Sequence, residues 1–447
     1  MNDDHIIAAI ATAPGRGGIG VIRISGPRLD QFIAGIAGGA LPPRRAAVRA
    51  FLDARREVID EGIALYFPAP HSYTGEDVLE LQAHGGPVVL QMLLKRCLEL
   101  GARTAQPGEF TRRAYLNDKL DLAQAESVAD LIDAATTEAA RGALRSLRGA
   151  FSERINELAR GLIELRTLVE ASLDFPDEEL EIIKRADGDG QLAALRDKLR
   201  EVLSASRQGS LLREGVQVVI AGRPNVGKSS LLNRLAGEEL AIVTEIPGTT
   251  RDAIRQSISL DGVPAHIIDT AGLRESSDPV ERIGVTRSWS AIEGADLVVL
   301  LVDATQGETS ADRDILERMP ASLPRVRVMN KIDLLGRSPS LEREDSMTTV
   351  WLSAKTGAGL DLLKQAVLQT IGWQAGSGEG LFMARARHVQ ALQEAERYLE
   401  HASHQGGKLE LFAEELRLAQ EALGSITGEF SPDDLLGEIF GRFCIGK

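Results

Sequence analysis

The 447-residue sequence has few cysteines, few aromatic residues and no surplus of basic charge. Its two cysteines, Cys97 and Cys444, form no CxxC pair, which argues against a cysteine-ligated metal site and fits a reducing compartment. Aromatic residues are only 4% of the chain, so a recognition surface built on stacked aromatic rings is not expected. The net charge of −14 disfavours DNA coating or binding to anionic membranes as a bulk property, and leaves a local basic site open.

Long apolar runs and a targeting segment are also lacking. The most apolar internal run covers residues 297–302, far short of the ~20 residues of a membrane span. The N-terminus carries Asp3 and Asp4 where a signal peptide carries basic residues. We therefore predict a cytoplasmic protein without membrane association, and at roughly 150 residues per domain the length predicts about three domains.

Changes of pattern along the chain predict the domain organisation. Residues 1–118 contain short apolar runs separated by glycine and proline, which indicates an α+β N-terminal domain. Residues 119–212 and 375–447 are predicted to be two halves of one all-α helical domain, since apolar residues such as Leu158, Leu162 and Leu165 recur at helical spacing. Residues 213–374 alternate strands and helices, which predicts an inserted α/β P-loop G domain.

A phosphate-binding motif opens the inserted domain. The sequence Gly222-Arg-Pro-Asn-Val-Gly227-Lys228-Ser229 follows an apolar strand and fits G-x-x-x-x-G-K-[ST]. Its glycines allow backbone N–H groups to surround phosphate oxygens at the positive end of the following helix. Lys228 is expected to neutralise the β and γ phosphates, and the Ser229 hydroxyl is expected to bind Mg²⁺. A chance match is the alternative, and the strand and helix on either side weigh against it.

Three further motifs follow in the order that a GTP site requires. Residues 269–272 (Asp-Thr-Ala-Gly) end one strand, where the carboxylate reaches Mg²⁺ through water and the glycine N–H reaches the γ phosphate; an ordinary turn is the alternative. Residues 330–333 (Asn-Lys-Ile-Asp) end another strand, and Asp333 can accept N–H groups that guanine has and adenine lacks. Residues 353–355 (Ser-Ala-Lys) fit the last loop on the base side. The four motifs together predict GTP binding.

Two details concern hydrolysis. The residue after Gly272 is Leu273, whose side chain cannot orient water as the usual glutamine does, so some other group must do so. The nearby carboxylates are Glu275, Asp278 and Glu281. In the loop 246–252, Thr250 is well placed as a switch threonine on Mg²⁺, with a solvated turn as the alternative. Several arginines are candidates for an arginine finger, and spacing does not choose among them.

The motifs resemble those of the MnmE (TrmE) family of tRNA modification GTPases, in the TrmE-Era-EngA-YihA-Septin-like superfamily. The resemblance covers PGRGGIGVIRISG and LNDKLDLAQAE, then GRPNVGKSSL, IPGTTRD and DTAGLR, and ends at the terminal CIGK. It implies a homodimeric GTPase activated by K⁺. In this family Asn225, the carbonyls of Thr244 and Ile246, and Thr249 would bind K⁺, and Glu281 would orient the attacking water.

The resemblance also implies a full set of GTP contacts. They are the phosphate-loop residues Asn225, Val226, Gly227, Lys228, Ser229 and Ser230, the switch residues Thr244, Glu245, Ile246, Pro247, Gly248, Thr249 and Thr250, and the residues Asp269, Thr270, Ala271, Gly272, Asn330, Lys331, Asp333, Ser353, Ala354 and Lys355.

The N-terminal domain of this family resembles folate-dependent one-carbon proteins and takes part in dimerisation. The resemblance implies binding of 5-formyl- or 5,10-methylene-tetrahydrofolate by Arg23, Glu80 and Lys119, with Lys447 nearby. Without it, Arg23 and Glu80 are better interpreted as solvated strand residues. The glycine-rich segment 15–20 lies between two strands and opens no helix, so it is not a dinucleotide loop. Cys444 has two interpretations, an inert packed residue or a catalytic thiol.

The implied function is tRNA modification. Together with the FAD-dependent protein MnmG (GidA), in a heterotetramer, the chain would install an aminomethyl or carboxymethylaminomethyl group on the wobble uridine. The alternative is a regulatory RNA-binding GTPase of ribosome assembly, which the G motifs alone do not exclude. Because the net charge is −14, we expect this chain alone to bind tRNA weakly.

Overall fold

The computed structural model describes residues 5–174, 188–238, 255–269, 294–344, 347–374, 380–405, 408–429 and 433–446. They form two compact units. Unit 1 comprises residues 1–129, 146–195 and 394–447, and unit 2 comprises residues 130–145 and 196–393. The four domain boundaries given above remain sequence predictions.

Unit 1 contains a six-stranded sheet in the order β3-β4-β5-β2-β1-β6. All neighbours are antiparallel except β1 and β6, which are parallel. The strands are β1 (Ile7–Ile10), β2 (Gly17–Gly26), β3 (Ala47–Leu52), β4 (Val58–Phe67), β5 (Asp77–Gly85) and β6 (Arg103–Thr104). This mixture of sheet and helix confirms the predicted α+β class of the N-terminal region.

Two helices supply much of the core beside this sheet. They are α1 (Asp30–Ala37) and α2 (Pro87–Glu99). Phe32 and Ile36 of α1 and Leu93 and Cys97 of α2 are fully buried in the same cluster as the inward strand residues. Burial raises the pKa of the Cys97 thiol to about 12, so this cysteine is a neutral packing residue.

One further helix, α3 (Glu109–Leu116), lies in the predicted N-terminal domain, and seven described helices follow the two regions predicted to be helical. The seven are α4 (Leu122–Asp133), α5 (Thr137–Leu147), α6 (Ala150–Asp174), α7 (Gly188–Glu214), α11 (Ala386–His404), α12 (Leu409–Thr427) and α13 (Asp433–Gly441). Leu158, Leu162 and Leu165 on α6 are each at most 3% exposed, which confirms the predicted apolar face. The stretch after residue 384 is two helices, α11 and α12, and α12 packs against α6.

Unit 2 contains a seven-stranded sheet in the order β12-β13-β11-β10-β7-β9-β8. The five inner strands run parallel, and β12 and β8 are antiparallel edges. The strands are β7 (Val216–Ala221), β8 (Arg255–Leu260), β9 (Val263–Asp269), β10 (Leu297–Asp303), β11 (Arg325–Asn330), β12 (Ser340–Glu344) and β13 (Met347–Trp351). The helices are α8 (Lys228–Glu238), α9 (Ser310–Glu317) and α10 (Leu360–Thr370).

This arrangement confirms an inserted α/β domain. All seven residues of β10 are buried, as expected for a central parallel strand covered on both faces. The carboxyl ends of β7, β10 and β11 therefore lie at one edge of the sheet, which is where open α/β sheets bind ligands. Of the described helices, none is both long and apolar enough to cross a membrane.

Candidate functional site

The phosphate loop connects β7 to α8, and its backbone requires glycine at two positions. Gly222 has φ +148°, and a Cβ there would lie 2.4 Å from the carbonyl oxygen of Leu301. Gly227 has φ +105°, and a Cβ there would lie 2.3 Å from Nδ2 of Asn330. Glycine at these two positions thus lets the phosphate loop pass close to β10 and to Asn330 at the end of β11. The N-terminus of α8 follows immediately, which gives an anion-binding end to the loop.

The polar side chains of the loop fit phosphate and cations. The Lys228 ammonium donates hydrogen bonds to the carbonyls of Gly222 (2.8 Å) and Arg223 (3.0 Å). Ser229 is exposed in the first turn of α8, where its hydroxyl oxygen suits Mg²⁺. Asn225 is exposed and has φ +64°, and its side-chain amide oxygen is a suitable ligand atom for K⁺. The described part of the site is thus compatible with both cations.

Asn330 joins the phosphate loop to the base-side loop. Its Nδ2 donates to the carbonyl of Val226 (2.8 Å), and its Oδ1 accepts from the backbone N–H of Ala354 (2.9 Å). The residue is 2% exposed, so both bonds are shielded from water. The structure therefore brings together three of the residues that the motifs predicted.

The base-side carboxylate is held in the same way. Asp333 is exposed, and its Oδ1 accepts a hydrogen bond from the hydroxyl of the fully buried Ser353 (2.7 Å). The carboxylate therefore has acceptor positions left for a ligand. The carbonyl of Lys355 accepts a hydrogen bond from Arg234 on α8 (2.7 Å), so this loop is fixed at both ends.

Asp303, at the end of β10, was missed by the sequence reasoning. Its carboxylate lies 2.7 Å from the ammonium of the motif residue Lys331 and also accepts two hydrogen bonds from Thr305. Burial raises the pKa of Asp303, but the hydrogen bonds from Lys331 and Thr305 outweigh it and hold the pKa below its usual value. An acid that ends a fully buried strand was the signal that could have found it.

A second missed contact supports the phosphate loop from outside. Arg223 Nε donates to Asp312 at 3.0 Å, and the Asp312 side chain is completely buried. The other oxygen of Asp312 accepts the backbone N–H and the hydroxyl of Thr309, at 3.0 and 2.7 Å, which caps α9. The helix cap and the phosphate loop therefore share one carboxylate.

Several predicted site residues lie outside the described residues. They are Thr244, Glu245, Ile246, Pro247, Gly248, Thr249, Thr250, Thr270, Ala271, Gly272, Glu281 and Lys447. The roles given above to these residues remain predictions. Asp269, which the structure does describe, ends β9, next to β7 in the sheet.

In unit 1 the structure brings Arg23 and Glu80 together. They are cross-strand partners on β2 and β5, and Arg23 Nε donates to Glu80 Oε1 at 2.9 Å. The guanidinium also donates to the carbonyl of Gly446 (3.2 Å) and lies 5.6 Å from the ring centre of Tyr73 and 5.8 Å from that of Phe110. A charged pair beside two aromatic rings has the chemistry to bind a heterocycle with N–H donors.

The other two N-terminal candidates are placed differently. Lys119 is exposed, and its aliphatic stem would meet a Cβ on Gly75 at 3.4 Å, in the loop before β5. Cys444 is exposed, and its carbonyl accepts a hydrogen bond from the N–H of Gly108 (3.4 Å). The interpretation of Cys444 as a buried packing residue is therefore wrong, because the structure leaves this residue accessible to solvent.

Together, the loop after β7, the Asn330 bridge and Asp333 define unit 2 as a P-loop domain of the GTPase class. Family models sharpen this assignment. The model described as the MnmE helical domain matches residues 122–444, and the model described as the GTP-binding protein TrmE N-terminus matches residues 6–119. The chain belongs to the MnmE family of tRNA modification GTPases.

Two curated relatives match this chain over nearly all of its length. The tRNA modification GTPase MnmE of Nitrosomonas europaea is 61% identical and is matched over 100% of both chains. The same-named protein of Thiobacillus denitrificans is 60% identical over 99% of this chain and 98% of its own. Among solved structures, Aquifex aeolicus Era bound to GDP and AlF4⁻ is 27% identical over 41% of this chain and 66% of its own, with a TM-score of 0.29.

Proposed function

We propose that this chain hydrolyses GTP in the course of tRNA modification. With a partner of the MnmG (GidA) type it would install an aminomethyl or carboxymethylaminomethyl group on the wobble uridine, using a one-carbon tetrahydrofolate. The observation that carries the proposal is the Asn330 bridge between the phosphate loop and Ala354, beside the carboxylate of Asp333. Full-length relatives named for tRNA modification supply the biological context.

The residues of unit 2 have separate tasks in this proposal. Lys228 leaves the loop carbonyls to bind the β and γ phosphates, and Asp333 accepts the N–H groups of guanine. Ser229, with Thr250, would hold Mg²⁺, and Asn225, with Thr244, Ile246 and Thr249, would hold K⁺. Cations bound there would supply positive charge beside the phosphate oxygens.

If K⁺ acts at this site, hydrolysis is faster in KCl than in NaCl, and Asn225→Ala removes that difference.

Glu281 orients the attacking water in this proposal. The side chain of Leu273 has no polar atom to do so. Among the nearby carboxylates, the resemblance to the MnmE family selects Glu281. Glu281→Ala is then expected to lower turnover strongly while GTP affinity stays the same. A loss of GTP affinity in that variant would make Glu281 a structural residue.

The folate part of the proposal rests on the surroundings of Arg23. Glu80 would accept N–H groups of the pterin, and Tyr73 and Phe110 supply apolar ring faces beside the guanidinium. Lys119 and Lys447 would interact with the negatively charged tail of the ligand. Cys444 is accessible beside the Gly446 carbonyl that Arg23 binds, which is compatible with a catalytic role.

Dimerisation is proposed through unit 1. Val88 and Met92 lie one turn apart on α2 and are 72% and 46% exposed, and Ile19 on β2 is 67% exposed. Apolar side chains with this exposure are available to a second copy of the chain. A heterotetramer would then contain two copies of this chain and two of the MnmG-type partner.

Nucleoside analysis of tRNA from cells lacking this protein tests the function directly. We expect loss of the modified wobble uridine and its recovery when the intact gene is returned. A Lys228→Ala gene, which lacks the phosphate-binding ammonium, is expected not to restore it. An unchanged wobble uridine profile in the deletion strain would overturn the proposed function.

A further inference from the structure

The outer edge of the sheet in unit 1 is unusually rich in arginine. β3 is the terminal strand of that sheet, and it is flanked by loops at both ends. Residues 40–58 contain five basic residues and only two carboxylates, in a chain whose net charge is −14. We name the arginine edge by its members: Arg44, Arg45, Arg49, Arg55 and Arg56.

No member of the arginine edge forms an ion pair with a carboxylate of the described residues. The Arg44 guanidinium donates to the carbonyl of His71 (3.2 Å), and Arg49 donates to the carbonyls of Val48 (3.0 Å) and Ala40 (3.4 Å). These bonds hold the side chains in place without neutralising their charge.

One of the two carboxylates in residues 40–58, that of Asp53, already binds the backbone of the turn. Oδ1 of Asp53 accepts the backbone N–H groups of Arg55 and Glu57, each at 2.8 Å. It therefore shapes the turn between β3 and β4. The arginine side chains of that turn are exposed to solvent.

Other arginines of the same unit behave differently. Arg23, Arg96, Arg103 and Arg113 each lie between 2.6 and 3.4 Å from a glutamate carboxylate. Arginine–glutamate ion pairs are thus frequent in this unit, whereas the arginine edge forms none with the described residues. A row of exposed basic side chains without such ion pairs among the described residues attracts and steers an oppositely charged partner.

The shape of the arginine edge favours a linear polyanion. β3 has six residues, so the arginines before and after it are separated by about 17 Å or more at ~3.4 Å per residue. Charge in such a line matches the backbone of a nucleic acid, whose phosphates are also arranged in a line. All five members are arginine, whose guanidinium binds phosphate through paired N–H groups.

We propose that the arginine edge binds the phosphate backbone of RNA, and specifically of the tRNA on which the proposed function acts. The inference rests on that function for the identity of the RNA. It is compatible with weak binding by an acidic chain, because the contacts are confined to one edge. Backbone contacts of this kind position an RNA without reading its sequence.

A matched pair of double variants tests the proposal in the full-length chain. Arg45→Glu with Arg55→Glu changes one residue on each side of β3. Both side chains are exposed, and neither forms a hydrogen bond or an ion pair with the described residues. Arg154→Glu with Arg200→Glu makes the same change of net charge at two exposed helix positions, each of which has an i,i+3 surface ion pair. The probe is a fluorescent tRNA transcript with uridine at the first anticodon position.

We expect the arginine-edge variant to bind the probe at least about tenfold more weakly than the parent at about 50 mM salt. The slope of log affinity against log salt is expected to fall in magnitude by about 2, one for each phosphate contact. The control variant keeps the parent slope. None of the four substituted arginines belongs to the GTP site, so both variants are expected to retain the basal GTPase rate.

Three results would overturn the proposal. They are unchanged binding by the arginine-edge variant, equal weakening in both double variants, and no measurable binding of the probe by the parent at low salt. Loss of association with an MnmG-type partner while tRNA affinity is retained would instead assign the edge to a protein partner. Failure of the proposed function is recognised separately, as an unchanged wobble uridine profile in the deletion strain.

Discussion

The candidate nucleotide site in unit 2 is built mostly from short contiguous motifs, whereas the candidate one-carbon site in unit 1 joins residues as far as 423 positions apart. In unit 2, each motif follows a strand, and parallel strands bring their carboxyl ends to one edge. In unit 1, Arg23 and Glu80 meet because antiparallel strands place them opposite each other, and Gly446 arrives from the end of the chain.

The difference shows where sequence motifs lose information. A motif specifies its own backbone, as Gly222 and Gly227 do, but it does not specify the residues that hold it from elsewhere. In unit 2 these supports are buried charges, Asp303 and Asp312. In unit 1 the charged pair itself is partly exposed, at 17% and 18% of the two side chains. We therefore expect substitutions of these residues to lower stability or nucleotide affinity most in unit 2 and stability least in unit 1.

The largest effect is expected from Arg223→Ala. It leaves the fully buried Asp312 carboxylate without its cation, which costs about 3–5 kcal/mol of folding free energy. All three tryptophans lie within residues 213–374, so urea unfolding followed by tryptophan fluorescence reports on this region. Arg313→Ala, on α9 with a side chain 64% exposed, is the control, and it is expected to cost less than about 1 kcal/mol. Equal costs in the two variants would contradict the support role of Arg223.

A smaller but more specific effect is expected from Asn330→Ala. The change leaves the Val226 carbonyl and the Ala354 N–H unpaired in a buried site, which weakens GDP and GTP binding by about 3 kcal/mol, or about 100-fold. Titration with a fluorescent guanine nucleotide measures it. Asn233→Ala, at an exposed position of α8, is the control and is expected to bind as the parent does. Parent-like affinity in Asn330→Ala would break the link between the two loops.

Much of the fold and of the nucleotide site was predictable, for local reasons. The helical spacing of Leu158, Leu162 and Leu165 predicted the buried face of α6, and the glycines predicted the phosphate loop. Asp303 and Asp312 were not predictable, because their partners Lys331 and Arg223 lie 28 and 89 positions away. The exposure of Cys444 was also beyond the sequence, since solvent access depends on how the chain end packs against residues near Gly108.

A moderate effect with a defined pH dependence is expected from Asp303→Asn. The pKa of Asp303 is lowered in the folded protein, so its contribution is complete above the unfolded pKa of ~3.9 and is lost as the pH falls through the folded pKa. We expect the variant to be less stable than the parent by about 1–2 kcal/mol at pH 7. This gap in stability between parent and variant is expected to close below about pH 4. Thermal melts followed by tryptophan fluorescence measure the gap, and Asp314→Asn is an exposed control on α9. A gap that stays constant with pH would contradict the ion pair with Lys331.

The smallest effect on stability is expected from Arg23→Lys in unit 1. Lysine keeps the charge but has one compact ammonium, so it cannot serve both Glu80 and the carbonyl of Gly446 as the planar guanidinium does. Because the pair is partly exposed, we expect less than about 1 kcal/mol of lost stability. Amide hydrogen exchange is nevertheless expected to speed up in residues 433–446, while amides of β2 and β5 keep their protection. Arg96→Lys, whose partner Glu99 is on the same helix, is the matched control. If exchange in residues 433–446 is the same in Arg23→Lys as in this control, backbone contacts such as the one between Gly108 and Cys444 hold these residues. Arg23 could then bind a ligand without releasing residues 433–446.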